Sequence, residues 1–399
     1  MFEYVSYTLF FGILILFIIY IYLRLRYGFW FMQPVFHVYD VSYMIKPPGI
    51  IDSSLPQKNK YTNFREIDTI LSSNLTSIQK TRFSNLIKSD YLRNKDNLFS
   101  PQLENILPYF TGHNDKSFIS FYYKDEHMLD TKRGTLITDR KIMGVITSRP
   151  IHIIINNGDK DANFNAYYVD YLCVAKSSRK KGIAPQLIQT HHYNQRHLNQ
   201  KITVSVFKRE DELTGIVPLC VYSTYGFPVD TWRQPPALSA EYNVLEITPQ
   251  NFRFVYDFIN SNSLLFDIVI STNASNIMEL VKTKNLFIYA ILCDEQIVCC
   301  YFFRKSCVQI EEGLEVLSCF ASICQCDESI FIEGFKISFW NVAAKHNFGF
   351  AAIENVSHND ILIHNIMQKT APTIISPTAY YFYNFAYPTF PSNKTLILN

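Results

Sequence analysis

The chain has 399 residues, 37 Lys and Arg against 35 Asp and Glu, and 48% hydrophobic residues. That length supports two ordinary domains with their own cores, and so even a charge balance excludes the basic footprint of a nucleic-acid-binding protein. Nine cysteines are present, with Cys299 and Cys300 adjacent and Cys324 and Cys326 one residue apart. These spacings fit buried thiols in a reducing compartment, not a zinc site, and no metal is expected.

Val5 to Tyr22 contains no charged residue. As a helix it would be about 27 Å long, near the hydrocarbon thickness of a bilayer. Arg24 and Arg26 follow it and Glu3 precedes it, so residues 1–26 read as a single-pass anchor whose basic flank and following body face the cytosol. A cleaved signal peptide would need a basic start and a small-residue cleavage site, and neither stands here. The sequons at Asn74, Asn273, Asn355 and Asn393 are expected to stay unmodified on a cytosolic body.

Residues 41–115 are polar and mixed, with short helical signals at Phe64–Ile70 and Ile78–Ile87. Strand patterns follow at Ile142–Ile146, Ile151–Ile155 and Tyr167–Ala175, then a helix at Ile183–His197 and a strand at Ile202–Phe207. His191, His192 and His197 lie on that helix at spacings that do not share a face, and read as solvated. Gly226–Pro236 breaks regular structure and reads as a linker. Beyond it the rhythm returns: helices at Phe252–Asn260 and Asn276–Lys284, then strands at Leu286–Leu292, Ile297–Phe303 and Leu314–Ala321. A helix at Ile330–Lys345, a strand at Phe350–Ile353 and a helix at Asp360–Gln368 complete it. The second half reads as a diverged copy of the first, giving units at 27–239 and 240–399 in a mixed α/β (α+β) architecture.

The chemistry points to one turn. Tyr168–Ala175 runs into Lys176-Ser177-Ser178-Arg179-Lys180-Lys181-Gly182-Ile183-Ala184-Pro185 and then a helix. Backbone N–H groups at a helix start, a flexible Gly182 and the positive charge of Arg179, Lys180 and Lys181 make a pyrophosphate cradle. An ordinary solvated basic turn is the competing reading. The spacing is neither the Walker pattern nor the dinucleotide fingerprint, and no Gly-x-Ser-x-Gly or His-Glu-x-x-His occurs. The second copy has an acidic Ser322–Ser329 stretch at the corresponding place.

The Arg-x-x-Gly-x-Ala turn resembles the coenzyme A loop of the GNAT acyltransferase superfamily. Asp170-Tyr171-Leu172-Cys173-Val174 and Ile183-Ala184-Pro185-Gln186-Leu187-Ile188 resemble the Asn-Phe-Leu-Cys-Val and Leu-Ala-Pro-x-Leu-Ile segments of the N-myristoyltransferase family. Tyr27-Gly28-Phe29-Trp30-Phe31-Met32-Gln33-Pro34-Val35 resembles its Tyr-x-Phe-Trp-x-x-Gln-Pro-Val. Ala379–Phe385 and Lys394–Asn399 resemble its closing aromatic and apolar segments. The resemblance implies tandem GNAT-like domains and transfer of a long acyl group, myristoyl, from acyl-CoA to the N-terminal glycine amine of a protein or peptide. Acyl-CoA would be a substrate, with no permanently bound cofactor. It implies that the N–H groups of Tyr171 and Leu172 form an oxyanion hole and that the carboxylate of Asn399 shares in removing the amine's proton. It also implies that Tyr27, Phe29, Trp30 and the Arg179–Ala184 loop (Arg179, Lys180, Lys181, Gly182, Ile183, Ala184) bind the acyl-CoA. An anchored member resembles relatives from large DNA viruses.

Three segments depart from the pattern. Asp96–Pro101 lacks the aromatic and basic part of the acceptor loop, Phe207-Lys208-Arg209-Glu210 stands where the family has Tyr-Thr-Ala-Gly, and Tyr222–Gly226 replaces Tyr-Trp-His-Arg-Ser. The alternative reading is a catalytically inactive membrane scaffold or lipid-binding protein on the same fold.

Overall fold

A computed structural model describes residues 2–92, 97–130, 135–156, 162–210, 215–310 and 313–399. Asp96 of the diverged acceptor segment lies outside them. Helix α1 (Phe2–Tyr27) is apolar all round, and no residue of its stretch Phe10–Tyr27 is buried, although Tyr20 and Tyr27 touch the chain that follows. Side chains such as Phe10, Leu16 and Phe17 stand more than half exposed, so this helix meets the length and composition of a membrane span.

Among the described residues the body is built on one 15-stranded sheet, in which a short strand at Asn97–Phe99, paired with Val308–Ile310, stands beside fourteen others. Its first part comprises β1 (Ile67–Leu71), β2 (Phe118–Asp130), β3 (Thr135–Ile155), β4 (Ala162–Val174), β5 (Val204–Glu210) and β6 (Cys220–Pro228). The second comprises β7 (Tyr242–Glu246), β8 (Ile268–Ser271), β9 (Leu286–Cys293), β10 (Gln296–Ile310), β11 (Leu314–Cys324), β12 (Phe348–Glu354), β13 (Ile374–Tyr383) and β14 (Thr395–Leu398). Strands β1 to β4 form an antiparallel meander and β5 then joins β4 in parallel through helix α3 (Ile183–Leu198). The pattern repeats: β7, β9, β10 and β11 are antiparallel, and β12 joins β11 in parallel through a helix at Glu328–His346. Each parallel strand then takes its outer partner from the other half. Strand β13 pairs with β5, β6 pairs with β12, and β13 and β6 pair with each other at the centre.

Helix α2 (Ser77–Asp90), opened by a Thr76/Gln79 capping box, packs Phe83, Leu86 and Ile87 against Phe121, Val145, Tyr171 and Cys173 on one face of the first part. Helix α3 packs Ile183 and Leu187 against Ile67, Ile146 and Val169 on the other.

Several expectations are corrected. The Phe64–Ile70 segment is not helical: Ile67–Leu71 is an edge strand paired with β2, because β-branched Ile67, Thr69 and Ile70 suit a pleated surface better than a helix. The runs either side of Pro150 are one strand, β3. Its pairing with β2 ends at Ser148 and its pairing with β8 begins at His152, so Pro150 sits where no neighbour on that edge asks for its missing N–H. Gly226–Pro228 belong to β6, and irregular chain begins only afterwards.

His191 is 2% exposed, not solvated. The i, i+4 stripe Ile183–Leu187–His191 faces the sheet, and the imidazole bridges Ser120 Oγ at 2.8 Å and Ser148 Oγ at 2.9 Å. Burial pushes its pKa down to about 3. A histidine kept neutral by folding stabilises fully above its unfolded value near 6.5 and loses that contribution as pH falls towards 3, by up to about 1.4 kcal/mol per pH unit. Urea unfolding from pH 7 to 4 should therefore show the stability gap between the native chain and His191→Gln narrowing as pH falls; a constant gap would contradict this assignment.

Candidate active site

The site begins with a bulge in β4. Val145 and Thr147 of β3 pair with Cys173 and Asp170, so Tyr171 and Leu172 together oppose Ile146. Tyr171 takes the extra turn with φ 47°, a left-handed value that costs a non-glycine residue roughly 1–2 kcal/mol. Its ring is held by Phe83 at 5.8 Å and Tyr91 at 5.5 Å, while the Leu172 side chain is 38% exposed. Beyond Val169–Phe207 the parallel pairing of β4 with β5 stops, and β5 continues with β13 as far as Glu210. The two strands therefore part at the bulge, leaving their backbone groups to face a wedge.

The basic turn follows directly. Lys180 (φ 62°) and Gly182 (φ 74°) are both left-handed, and α3 starts at Ile183. A Cβ on Gly182 would meet nothing within 4 Å, so glycine is required there by backbone conformation, not by space. The amides opening α3 have no acceptor inside the helix, and Gly182, Lys180 and Lys181 are exposed beside them. Arg179, exposed as well, is held to nearby backbone: its Nε donates to Val174 O at 3.1 Å and its Nη2 to Asp90 O at 2.5 Å. With Lys176 N donating to Asp90 Oδ1 at 2.8 Å, Arg179 braces the loop against the end of α2.

Trp30 stacks on Phe207 at 5.7 Å, and Phe207 stacks on Tyr381 at 5.3 Å. Phe29 meets Tyr61 edge-on at 5.0 Å, and Tyr27 packs on Gly215, where an added Cβ would lie 2.0 Å from its ring. Tyr383 Oη donates to Gln33 Oε1 at 2.7 Å and Asn384 N to Pro34 O at 2.6 Å. The first and last motif blocks of the chain are thus neighbours.

Charged residues that the sequence did not single out gather on the opposite face. Asp170 Oδ1 accepts the Tyr171 N–H at 2.7 Å, and its Oδ2 lies 3.4 Å from Nη1 of the buried Arg149, whose guanidinium covers Tyr109 and Tyr168. Lys208 Nζ lies 3.6 Å from Glu354 Oε1 and 3.7 Å from Glu210 Oε1, and Tyr222 donates a short hydrogen bond to Glu354. Burial opposes the Lys208 charge, but Glu354 and Glu210 outweigh it and raise its pKa. Burial also lifts the hydroxyl pKa values of Tyr168, Tyr222 and Tyr380. The signal available in the sequence was a charge inside or at the end of an apolar strand run: Arg149, Arg304 and Glu354 each stand so.

Asn399 is 5% exposed at the end of β14, which lies parallel to β8 at the end of the sheet's strand order. Its carbonyl oxygen accepts from Arg304 Nη2 at 3.0 Å. Burial opposes the Arg304 charge, while Tyr109 and Glu354 keep it protonated. Tyr109, Arg304 and Asn399 line one small cavity, so contacts run from Asp170 through Arg149 to Tyr109 and end at a cavity that the last residue of the sequence also lines.

A strand that bulges and parts from its parallel neighbour, a basic turn at a helix start beside it, and a repeat of that topology define a tandem GNAT-like fold. Residues 75–220 match the model of the family described as Myristoyl-CoA:protein N-myristoyltransferase, N-terminal domain. The fold superposes on Saccharomyces cerevisiae N-myristoyltransferase with bound myristoyl-CoA (TM-score 0.69, 13% identity, 91% of this chain and 94% of that one). It superposes equally on the same enzyme with bound myristoyl-CoA and inhibitors (TM-score 0.70, 13% identity, 93% of each chain). No curated protein matches the chain by sequence. By sequence, residues 75–220 match that family's N-terminal domain, and 91% of the chain shares the fold of its yeast member.

The buried pair gives a test of the site's construction. Glu354→Gln leaves Lys208 short of its closest buried partner and should cost about 3 kcal/mol, whereas Glu354→Leu with Lys208→Met should recover most of that loss. Denaturant unfolding of the native chain and the two variants checks it; equal losses for single and double changes would rule out a coupled pair.

Proposed function

We propose that the chain is a membrane-anchored acyltransferase of the N-myristoyltransferase type, its body facing the cytosol. It moves a myristoyl-length acyl group from CoA to the N-terminal glycine amine of a protein. The observation that carries this reading is the Tyr171–Leu172 bulge set immediately before the Lys180–Ala184 turn. In the reading, residues 27–239 hold the acyl-CoA and residues 240–399 complete the chamber. The amides of Gly182, Ile183 and Ala184 and the charges of Lys180 and Lys181 take the pyrophosphate. Arg179 acts by bracing the loop. Tyr27, Phe29 and Trp30 flank the acyl-CoA on the face of β5 that carries Phe207.

The deprotonated acceptor nitrogen attacks the thioester carbonyl carbon, an oxyanion forms, the C–S bond breaks, and CoA leaves as a thiolate that takes up the proton shed by the new amide nitrogen. The N–H groups of Tyr171 and Leu172 stabilise the oxyanion. Asp170 holds the first of these N–H groups at 2.7 Å, so an incoming thioester oxygen displaces that carboxylate. The ammonium's proton passes to the α-carboxylate of Asn399, which Arg304 positions.

The occupied Tyr171 N–H favours a second reading, a non-catalytic lipid-binding scaffold, and one experiment separates the two. Calorimetry on the body from Arg24 onward should show myristoyl-CoA binding more tightly than acetyl-CoA, with Gly182→Val removing both. No binding to either ligand would sink the transferase.

Catalysis has its own check. Appending one residue after Asn399 should lower transfer to a glycine-initiated peptide roughly 100-fold while leaving myristoyl-CoA binding intact. Unchanged transfer would free the terminal carboxylate of any role.

A further inference from the structure

Directly after α1 the chain is pinned to the body by its backbone while several apolar side chains stay in the open. Val217 N donates to Phe36 O at 2.7 Å and Val38 N to Gly215 O at 3.1 Å, and Val35, Phe36 and His37 are buried. Met32, Val38, Val41, Met44 and Ile45 are nevertheless between 44% and 81% exposed. On the one-turn helix Val41–Ile45, the residues Val41, Met44 and Ile45 share a face at i, i+3 and i+4. Tyr43 meets the buried Phe36 instead, at 5.9 Å. The sole carboxylate between Gly28 and Ile45 is that of Asp40, and it is turned to His37, whose N–H it accepts at 2.8 Å. The stretch Ser53–Arg65 carries Lys58, Lys60 and Arg65 and no acid, and its Tyr61 meets Phe29. Single exposed apolar residues are ordinary; a run of them beside an unburied apolar helix marks a contact surface.

Aromatic contacts set the height of this segment on α1. Phe31 meets Tyr20 edge-on at 5.4 Å and Tyr39 at 6.3 Å, and Tyr39 meets Tyr27 at 5.6 Å. Tyr20 lies four residues before Arg24, about 6 Å further into the apolar part of the helix. With Arg24 and Arg26 at the headgroups, as the basic flank of a span requires, Phe31 lies below their level. The segment folds back along the anchor.

We infer that this segment is a second membrane contact, in which Met32, Val38, Val41, Met44 and Ile45 enter the headgroup–acyl boundary of a phospholipid bilayer beside α1. Exposed Lys46, Lys58 and Lys60 stand at its rim, where basic side chains suit a lipid surface. A single spanning helix leaves the body free to turn about the helix axis, and a second contact fixes its orientation. None of the five apolar side chains belongs to the residues that flank the acyl-CoA in the proposed function. The contact presupposes that α1 enters a membrane, as proposed above, and is independent of transferase activity.

The test uses the full chain in phosphatidylcholine vesicles with plain or brominated acyl chains, the bromines quenching any tryptophan that reaches them. Three variants are compared, Leu16→Trp in α1, Ile45→Trp in the segment and Leu264→Trp, each read as the difference from the native chain's three tryptophans. Ile45 and Leu264 are both 81% exposed, so neither change displaces packed neighbours, and Leu264 stands for the free surface of the body. Leu16→Trp and Ile45→Trp should each lose roughly half of their added emission, and Leu264→Trp none. Quenching of Leu16→Trp without Ile45→Trp would keep the anchor and overturn the second contact. Quenching of Leu264→Trp to the same degree would overturn it too, as non-specific adhesion. So would a blue shift of Ile45→Trp without quenching, which would mean that a protein surface, such as a second copy, covers the segment. No quenching of Leu16→Trp would remove the membrane reading itself, and the second contact with it, so the two failures are distinguishable.

Discussion

The site depends on one extra residue in β4. Because Tyr171 is held at φ 47° opposite Ile146, β4 turns away from β5, and the parallel ladder that fills the rest of the unit stops at Val169–Phe207. A sheet that stayed paired would have no opening at its centre and no free amides to offer a ligand. The conformational cost of roughly 1–2 kcal/mol is small beside the burial of the Tyr171 ring against Phe83 and Tyr91, which fixes the bulge in place. Asp170 adds a second restraint by accepting the Tyr171 N–H while tied to Arg149.

Opening the sheet at its centre also opens it to charge. Arg149, Lys208 and Arg304 are cations set among tyrosines, and each meets an oxygen: Asp170, Glu354 with Glu210, and the carbonyl of Asn399. Such pairs seldom stabilise relative to a packed apolar core, since desolvation consumes most of the attraction. Their presence where two half-sheets exchange strands therefore points to function or register, not to bulk stability. Arg304 also ties β10 to the end of β14, and β14 reaches β3 through β8, so the second half closes on the first through this charge.

Much of this was legible in the residues. The apolar run ahead of Arg24, the strand–turn–helix around Gly182 and nearly every element after residue 250 follow from periodicity and breakers, because each is decided within a dozen residues. What was not legible is decided across the chain. Pro150 reads as a strand break unless one knows that β2 ends before it and β8 starts after it. His191 reads as a polar residue on an ordinary helix unless Ser120 and Ser148 are seen to meet it. The exchange of β6 and β13 leaves no local mark at all, since both strands look the same whichever neighbour they choose.

The second half shows which part of the site belongs to the fold and which to the ligand. There β11 also carries an extra residue: Phe302 and Phe303 of β10 face Ala321 and Cys319, leaving Phe320 unpaired, and β12 again joins in parallel after a helix. The bulge is thus common to both halves. The basic turn is not. Where Lys180 to Gly182 open α3, Asp327 and Glu328 open the corresponding helix, and its positive end is already met by the chain's own carboxylates. A bulged, parted sheet is a frame that either half can build, whereas binding an anion needs the helix start left uncompensated. Only the first half leaves it so, and that confines the proposed pyrophosphate site to one side of a pseudo-symmetric molecule.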